Sequence, residues 1–375
     1  MATYLKQFST HAEYDAYING SGAILPNVSI CTTEGDVHYN PYVPQHDYSQ
    51  DYLTTVALEN GTISFNIWRS MGTDMITSIS YSTNDGESWT TTNNLNDKEE
   101  HLTISVNVSE GDKVLWKGDA QQLGYYDDYE YYVYVGSFFS SDCEFNVQGN
   151  VMSMLYGDDF IGENTLEYEG EFACLFFDYD EGRGCLVVSA EHMVLPATTL
   201  ASGCYDSMFR DCTSLTTAPE LPATTLANYC YQYMFNGCTS LTTAPVLSVT
   251  TLAMFCYNYM FYKCTSLTTA PELPATTLAN YCYEYMFSGC TNLTTAPSVL
   301  PATTLAVGCY LGMFNGCTRL NSIKCLATNI SARDSTKNWV SGVAASGTFT
   351  KAASMTSWSS GYSGIPSGWS VVDAQ

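Results

Sequence analysis

Ten residues stand out first for the chemistry they could do. In Tyr125-Tyr-Asp-Asp-Tyr-Glu-Tyr-Tyr-Val-Tyr134, the acids Asp127, Asp128 and Glu130 sit among aromatic rings. Two carboxylates flanking a sugar bond are what glycoside hydrolysis requires, and rings such as Tyr129 and Tyr131 can stack on a sugar, while the acids suit a cation. The same stretch also reads as a solvated acidic loop running into an aromatic strand, and that plainer reading is preferred. The 15 cysteines are the second candidate set. No Cys-x-x-Cys occurs, and His11, His38, His46, His101 and His192 are scattered, so no zinc site is expected. The N-terminus lacks the charged start, apolar run and small-residue cleavage site of a secretory leader. Cytosolic synthesis is therefore expected, in which the cysteines serve as small buried hydrophobes rather than disulfides. There is no Gly-x-Ser-x-Gly, phosphate-binding loop, His-Glu-x-x-His or dinucleotide fingerprint. The sequence argues for no enzyme and no cofactor.

Most of the cysteines belong to an array. Leu195-Pro-Ala-Thr-Thr-Leu-Ala is followed by Cys204-Tyr205, Met208-Phe209 and Cys212-Thr-Ser-Leu, and the unit restarts at Leu221, Leu247, Leu273 and Leu300, a period of 26 residues with one insertion. Leu226, Cys230 and Met234 fall at i, i+4 and i+8, which predicts one face of a short helix capped by Thr224 or Thr225. Cys238, Leu241, Ala244 and Leu247 recur at every third position, as in a tight coil. No copy can bury such a face alone, so a solenoid is expected, with a frayed capping repeat at Cys174–Cys185 and a second cap beyond Cys325. Positions that differ between copies are those the fold leaves open. In the middle copies they carry two sets of rings, Tyr229, Phe255 and Tyr281, then Tyr233, Tyr259 and Tyr285. Copies about 5 Å apart would stack each set into a ladder. Such ladders either seal neighbouring copies or form a strip for glycan or protein recognition.

Phe235-x-x-Cys238-x-x-Leu241, followed by Leu-Pro or its equivalent and an apolar-Phe pair, is similar to the treponemal or BspA-like leucine-rich repeat, though that repeat is usually shorter. The resemblance implies surface display and adhesion. Ahead of the array, Ile63, Phe65 and Ile67 alternate with polar residues behind a predicted hairpin turn at Asn60-Gly61. Leu102, Ile104, Val106 and Val108, then Cys143, Phe145 and Val147, continue the pattern. A jelly-roll-like β-sandwich is expected. Ser82-Thr-Asn-Asp-Gly86-Glu-Ser-Trp89 resembles the Asp-box hairpin of sialidases, with Asn84 where Asp is usual, and is taken as a structural turn.

A second resemblance covers most of the chain. Tyr14-Asp-Ala-Tyr17, Leu25-Pro-Asn-Val28-Ser and Val37-His-Tyr-Asn-Pro41 open it. Gly149-Asn-Val-Met-Ser-Met-Leu-Tyr-Gly157, Asn338-Trp-Val-Ser-Gly and Gly364-Ile-Pro-Ser-Gly-Trp369 continue it. These resemble structural proteins of phages that infect gut Bacteroides, including crAss-like phages. The expected organisation is multi-domain and β-rich: an α+β docking module over 1–50, with a capping box at Thr10 and Glu13, a β-sandwich over 51–165, a leucine-rich-repeat solenoid over 166–326 and a cap over 327–375. The expected function is that of a non-enzymatic virion protein, a tail or head fibre or decoration. It would join other virion proteins through its first module, bind host glycan or protein, and form a homo-oligomer. A BspA-like bacterial adhesin and a carbohydrate-active enzyme are the alternatives. A formal charge of −25, from 38 acids and 13 bases without a basic stripe, argues against nucleic acid. No apolar run reaches the roughly 18 residues of a membrane span, so virion localisation without membrane insertion is expected.

Overall fold

The computed structural model describes residues 4–8, 28–32, 37–38, 46–67, 75–93, 102–127, 133–356 and 358–375. The chain divides into two compact units, Met1–Asp47 and Tyr48–Gln375. In the first, strands β1 (Tyr4–Phe8) and β2 (Val28–Thr32) pair in parallel, and β3 (Val37–His38) runs antiparallel to β2. The capping box at Thr10 and Glu13 lies outside the described residues.

The second unit begins with strands β4 (Leu53–Ala57), β5 (Gly61–Ile67), β6 (Ile76–Ser82), β7 (Thr90–Asn93), β8 (Leu102–Val108) and β9 (Lys113–Ala120). They are followed by β10 (Gly124–Asp127), β11 (Val133–Gly136), β12 (Phe138–Ser141), β13 (Phe145–Asn150), helix α1 (Ser153–Tyr156), β14 (Phe177–Asp178), β15 (Arg183–Gly184) and β16 (Val187–Val194). One sheet has the order β16-β13-β4-β9-β6-β7 and another β12-β5-β8. They share a core in which Phe65 and Phe139 of the smaller sheet meet Trp116 of the larger at 6.3 and 5.2 Å between centroids. Trp116 is fully buried and donates its indole N–H to Thr55 Oγ1 at 3.1 Å, so its one polar atom is satisfied.

Several expectations are corrected here. The sheets have six and three strands, not the arrangement of a jelly roll, and among the described residues none closes into a barrel. Asn60-Gly61 is no hairpin turn, because β4 and β5 lie in different sheets. The chain crosses between layers there, and a Cβ on Gly61 would stand 2.5 Å from Cys143 Cβ. The Asp-box segment does join paired strands β6 and β7, held by Ser82 Oγ to Asn84 Oδ1 (2.8 Å) and by Ser88 N to Asn84 Oδ1 (3.0 Å).

The leucine-rich-repeat solenoid is also overturned. Among the described residues no copy of the array forms a helix, and no copy adds a strand to a continuous sheet. Between β16 and β17 (Ser322–Cys325) the described residues make only isolated bridges, such as Thr199 with Thr225 and Thr217 with Thr243. The period-four face at Leu226, Cys230 and Met234 comes instead from four-residue turns. Every fourth residue, Tyr229, Tyr233 and Gly237 in this copy, has a left-handed φ of 61°, 54° and 77°, which ends any α-helix at once. Alternate amides close these four-residue turns, as in Gln232 N to Tyr229 O (3.0 Å). The amides between them reach the next copy, as in Tyr231 N to Cys256 O (3.1 Å) and Tyr233 N to Asn258 O (2.9 Å). The backbone donors are thus satisfied partly within a copy and partly between copies. Thr224 is no helix cap, since its amide and hydroxyl both donate to Thr198 O of the preceding copy, at 2.9 and 3.3 Å.

Inside the array, identical residues lie over one another. Phe209, Phe235, Phe261, Phe287 and Phe314 are fully buried and stacked at 5.7–5.8 Å, and Tyr205, Tyr231, Tyr257, Tyr283 and Tyr310 at 5.7–6.1 Å. Each stacked pair contributes about 0.5–1.5 kcal/mol beyond its buried area. One cysteine of each copy donates its thiol hydrogen bond to the copy before it: Cys238 Sγ lies 3.0 Å from Phe209 O, and Cys264 Sγ 3.0 Å from Phe235 O. The other packs among apolar neighbours, and in the last copy Cys309 Sγ also lies 3.8 Å from Ser335 O. Cys256 is fully buried, and burial raises its thiol pKa to about 12. Cys256→Ser should cost about 1–3 kcal/mol by burying an ill-satisfied hydroxyl. Thermal melts check this, and mass spectrometry of unreduced protein showing a Cys230–Cys238 link would contradict the thiol role. At the far end β17, β18 (Thr348–Lys351) and β19 (Ser370–Asp373) form a parallel sheet. No described helix is long and apolar enough to cross a membrane.

Candidate functional site

The left-handed positions form columns along the array, and the sequence fills them unevenly. One column runs Gly170, Gly203, Tyr229, Phe255, Tyr281, Gly308 and Asp334. A second runs Cys174, Ser207, Tyr233, Tyr259, Tyr285, Gly312 and Asn338. Glycine, Asn and Asp are the residues that adopt this conformation readily, and for a bulky side chain it costs roughly 1–2 kcal/mol. The outer copies hold small or polar residues. The three middle copies hold six aromatic ones, with φ from 51° to 61°.

Those six rings are brought together as two ladders. Tyr229 stacks on Phe255 at 5.0 Å and Phe255 on Tyr281 at 4.8 Å, with planes within 10° and 4° of parallel. Tyr233 stacks on Tyr259 at 5.0 Å and Tyr259 on Tyr285 at 4.8 Å, tilted by 29° and 23°. All six are half-buried. Each ladder ends against small residues. A Cβ on Gly308 would lie 2.3 Å from the Tyr281 ring, and one on Gly312 2.3 Å from the Tyr285 ring, so the last rings rest on bare backbone. The guanidinium of Arg210 lies 5.3 Å from the Tyr233 ring and 4.7 Å from Phe177. Arg333 Nη2 donates to the Tyr281 hydroxyl at 3.2 Å.

Beside the second ladder runs a polar column of Asp206, Gln232, Asn258 and Glu284. Asn258 Nδ2 donates to Glu284 Oε2 at 2.8 Å. Burial raises the Glu284 pKa to about 7 against that hydrogen bond. Burial likewise raises the Tyr229 and Tyr233 hydroxyls, with Tyr126 adding to the first and Asp206 to the second. Tyr126 is exposed on β10, and the pair of β10 and β11 packs close to the first, frayed copy: a Cβ on Gly124 would lie 2.6 Å from Gly170 O.

Of the other expected site residues, Asp128, Tyr129, Glu130 and Tyr131 lie outside the described residues, and of Asp127 only the backbone, at the end of β10, is described. Glu284 is among the positions that vary between copies, whereas Arg210 and Arg333 join the strip without any signal in the sequence. Arg333 lies 52 residues from Tyr281 in the chain, and no local pattern announces it. Comparison with known proteins gives no match to any family model, curated protein or solved structure.

Proposed function

We propose that this chain is a non-enzymatic display protein of a virion, whose repeats present the aromatic strip to a glycan or protein of the host surface, with residues 1–50 joining it to other virion proteins. The virion assignment rests on the resemblance of the opening, Gly149–Gly157 and closing segments to phage structural proteins. The binding role rests on one observation: six aromatic residues occupy left-handed backbone in three successive copies, where outer copies hold glycine or small polar residues. Bulky rings held on left-handed backbone in one patch, where the equivalent positions of other copies hold Gly, Ser, Cys, Asp or Asn, are strain of the kind that marks function.

Replacing Tyr233, Tyr259 and Tyr285 together by glycine tests this. Glycine relieves roughly 1–2 kcal/mol of strain per residue and forfeits about 0.5–1.5 kcal/mol per stacked pair and about 1 kcal/mol of half-buried ring area per residue, so gains and losses nearly cancel and the melting temperature should move by only a few degrees. Binding of the full chain to gut Bacteroides cells should be lost. Retained binding with a much lower melting temperature would make the rings packing alone.

A further inference from the structure

Resting on that reading of the strip, we propose that it recognises protein rather than carbohydrate, and specifically an uncharged protein surface met by the edges of the rings. A sugar docks on tyrosine by laying its C–H face over an open ring face. Here most of the faces are spent. Both faces of Phe255 and of Tyr259 are turned to neighbouring rings 4.8–5.0 Å away. The outer face of Tyr281 rests on Gly308 and that of Tyr285 on Gly312, while Arg210 stands against Tyr233. What a partner reaches on these half-buried rings is the rim. The rim is the positive part of the ring quadrupole, which attracts carbonyl oxygens and the faces of other aromatic rings edge-on.

Most of the polar groups around the rings point the same way, the exception being Gln232, whose buried Oε1 has no hydrogen-bond partner. Carbohydrate specificity needs a few planar amides or carboxylates free to grip sugar hydroxyls. Asn228 Oδ1 instead accepts from Met254 N at 3.0 Å, Asn280 Oδ1 from Val307 N at 3.2 Å, and Asn258 is committed to Glu284. These side chains brace one copy against the next. Charge gives the third argument. Residues 195–326 carry five acids (Asp206, Asp211, Glu220, Glu272, Glu284) and four bases (Arg210, Lys263, Arg319, Lys324), a difference of one in a chain with a formal charge of −25. The array therefore offers little field to steer a charged ligand, whereas tyrosine rims in a neutral setting are the composition of protein-binding hot spots.

The experiment compares wild-type full chain with the triple glycine variant on Bacteroides cells that are untreated, stripped with proteinase K, or oxidised with periodate. Strip-dependent binding is the difference between the two proteins. Proteinase K should weaken it at least about tenfold and periodate less than about twofold, and raising salt from about 50 to 500 mM should change it less than about twofold. Loss on periodate treatment, alone or together with proteinase K, overturns the protein assignment and leaves the strip as a carbohydrate site. Steep salt dependence overturns the uncharged partner. Equal binding by the two proteins, or none by either, removes the reading of the strip itself and this inference with it.

Discussion

The protein should be more stable at pH 5 than at pH 8 by on the order of 2–5 kcal/mol, and Asp206→Asn should remove the largest single part of that difference. Asp206 is 5% exposed at the inner end of the polar column, and its Oδ1 accepts from Ser207 Oγ at 2.7 Å. Burial raises its pKa from 3.8 to about 8, against the Ser207 hydrogen bond and Arg210. Cys174 and Tyr233, which also face it, feel its charge as a further upward push. Glu171, 1% exposed, is raised from 4.5 to about 7 by burial, although Oε1 accepts from Glu167 N and Tyr168 N at 2.9 and 2.8 Å.

The sign follows from proton counting. With folded pKa values above the unfolded ones, the native state keeps protons between about pH 4 and 8 that the unfolded chain has released, so stability is fully present below about pH 4, falls progressively as pH rises, and levels off only above the folded values near 7 to 8. A tenfold difference in proton affinity between the two states corresponds to about 1.4 kcal/mol. Glu284 adds in the same direction but less, since it is only half-buried. The amide that Asp206→Asn introduces can still accept from Ser207 and never ionises, so the melting temperature of that variant should fall clearly less steeply than that of wild type over this range, the remaining slope belonging to Glu171 and Glu284. A variant whose melting temperature falls from pH 5 to pH 8 as steeply as wild type would refute the role of Asp206.

Trp339→Ala should lower stability by about 3–5 kcal/mol, the cost of emptying a large buried aromatic site. Trp339 is fully buried where the two interior ladders converge: its ring lies 6.0 Å from Tyr310, 6.4 Å from Phe314 and 5.6 Å from Trp358. Its indole N–H donates to Gly364 O at 2.8 Å. The side chain thus closes the core that the copies share, and its loss should loosen the last copies before the first. Hydrogen exchange should rise first over residues 300–350 and least near β13. Trp339→Phe keeps the stack and gives up the hydrogen bond, so its cost should be nearer to about 1 kcal/mol. Equal melting temperatures for wild type and Trp339→Ala would show that the copies need no closure at this end.

The period of 26, the interior positions and the two sets of rings are all readable from the order of the amino acids, because residues repeated at a fixed interval are placed by stacking whatever the local backbone does. Alternation in β5, β8 and β13 is readable too, since a strand buried on one face must alternate. The backbone of each copy is not. Leu226, Cys230 and Met234 satisfy a helical face and a run of four-residue turns equally well, and only the left-handed torsions at Tyr229 and Tyr233, paired with hydrogen bonds to residues 25 positions away, separate the two. The helix, the leucine-rich-repeat solenoid and the hairpin at Asn60-Gly61 all failed for one reason: local pattern does not record where an amide finds its partner. The same holds at the end of the array. Asp334, Asn338 and Gly342 continue the left-handed columns past Cys325 with almost none of the repeat's residues, since there the preceding copy supplies the partners, as Gly308 N to Arg333 O and Phe314 N to Trp339 O record. For the strip, the rings are legible as a set, but that most of their faces are covered by neighbouring rings, bare backbone or Arg210 follows from tertiary packing alone.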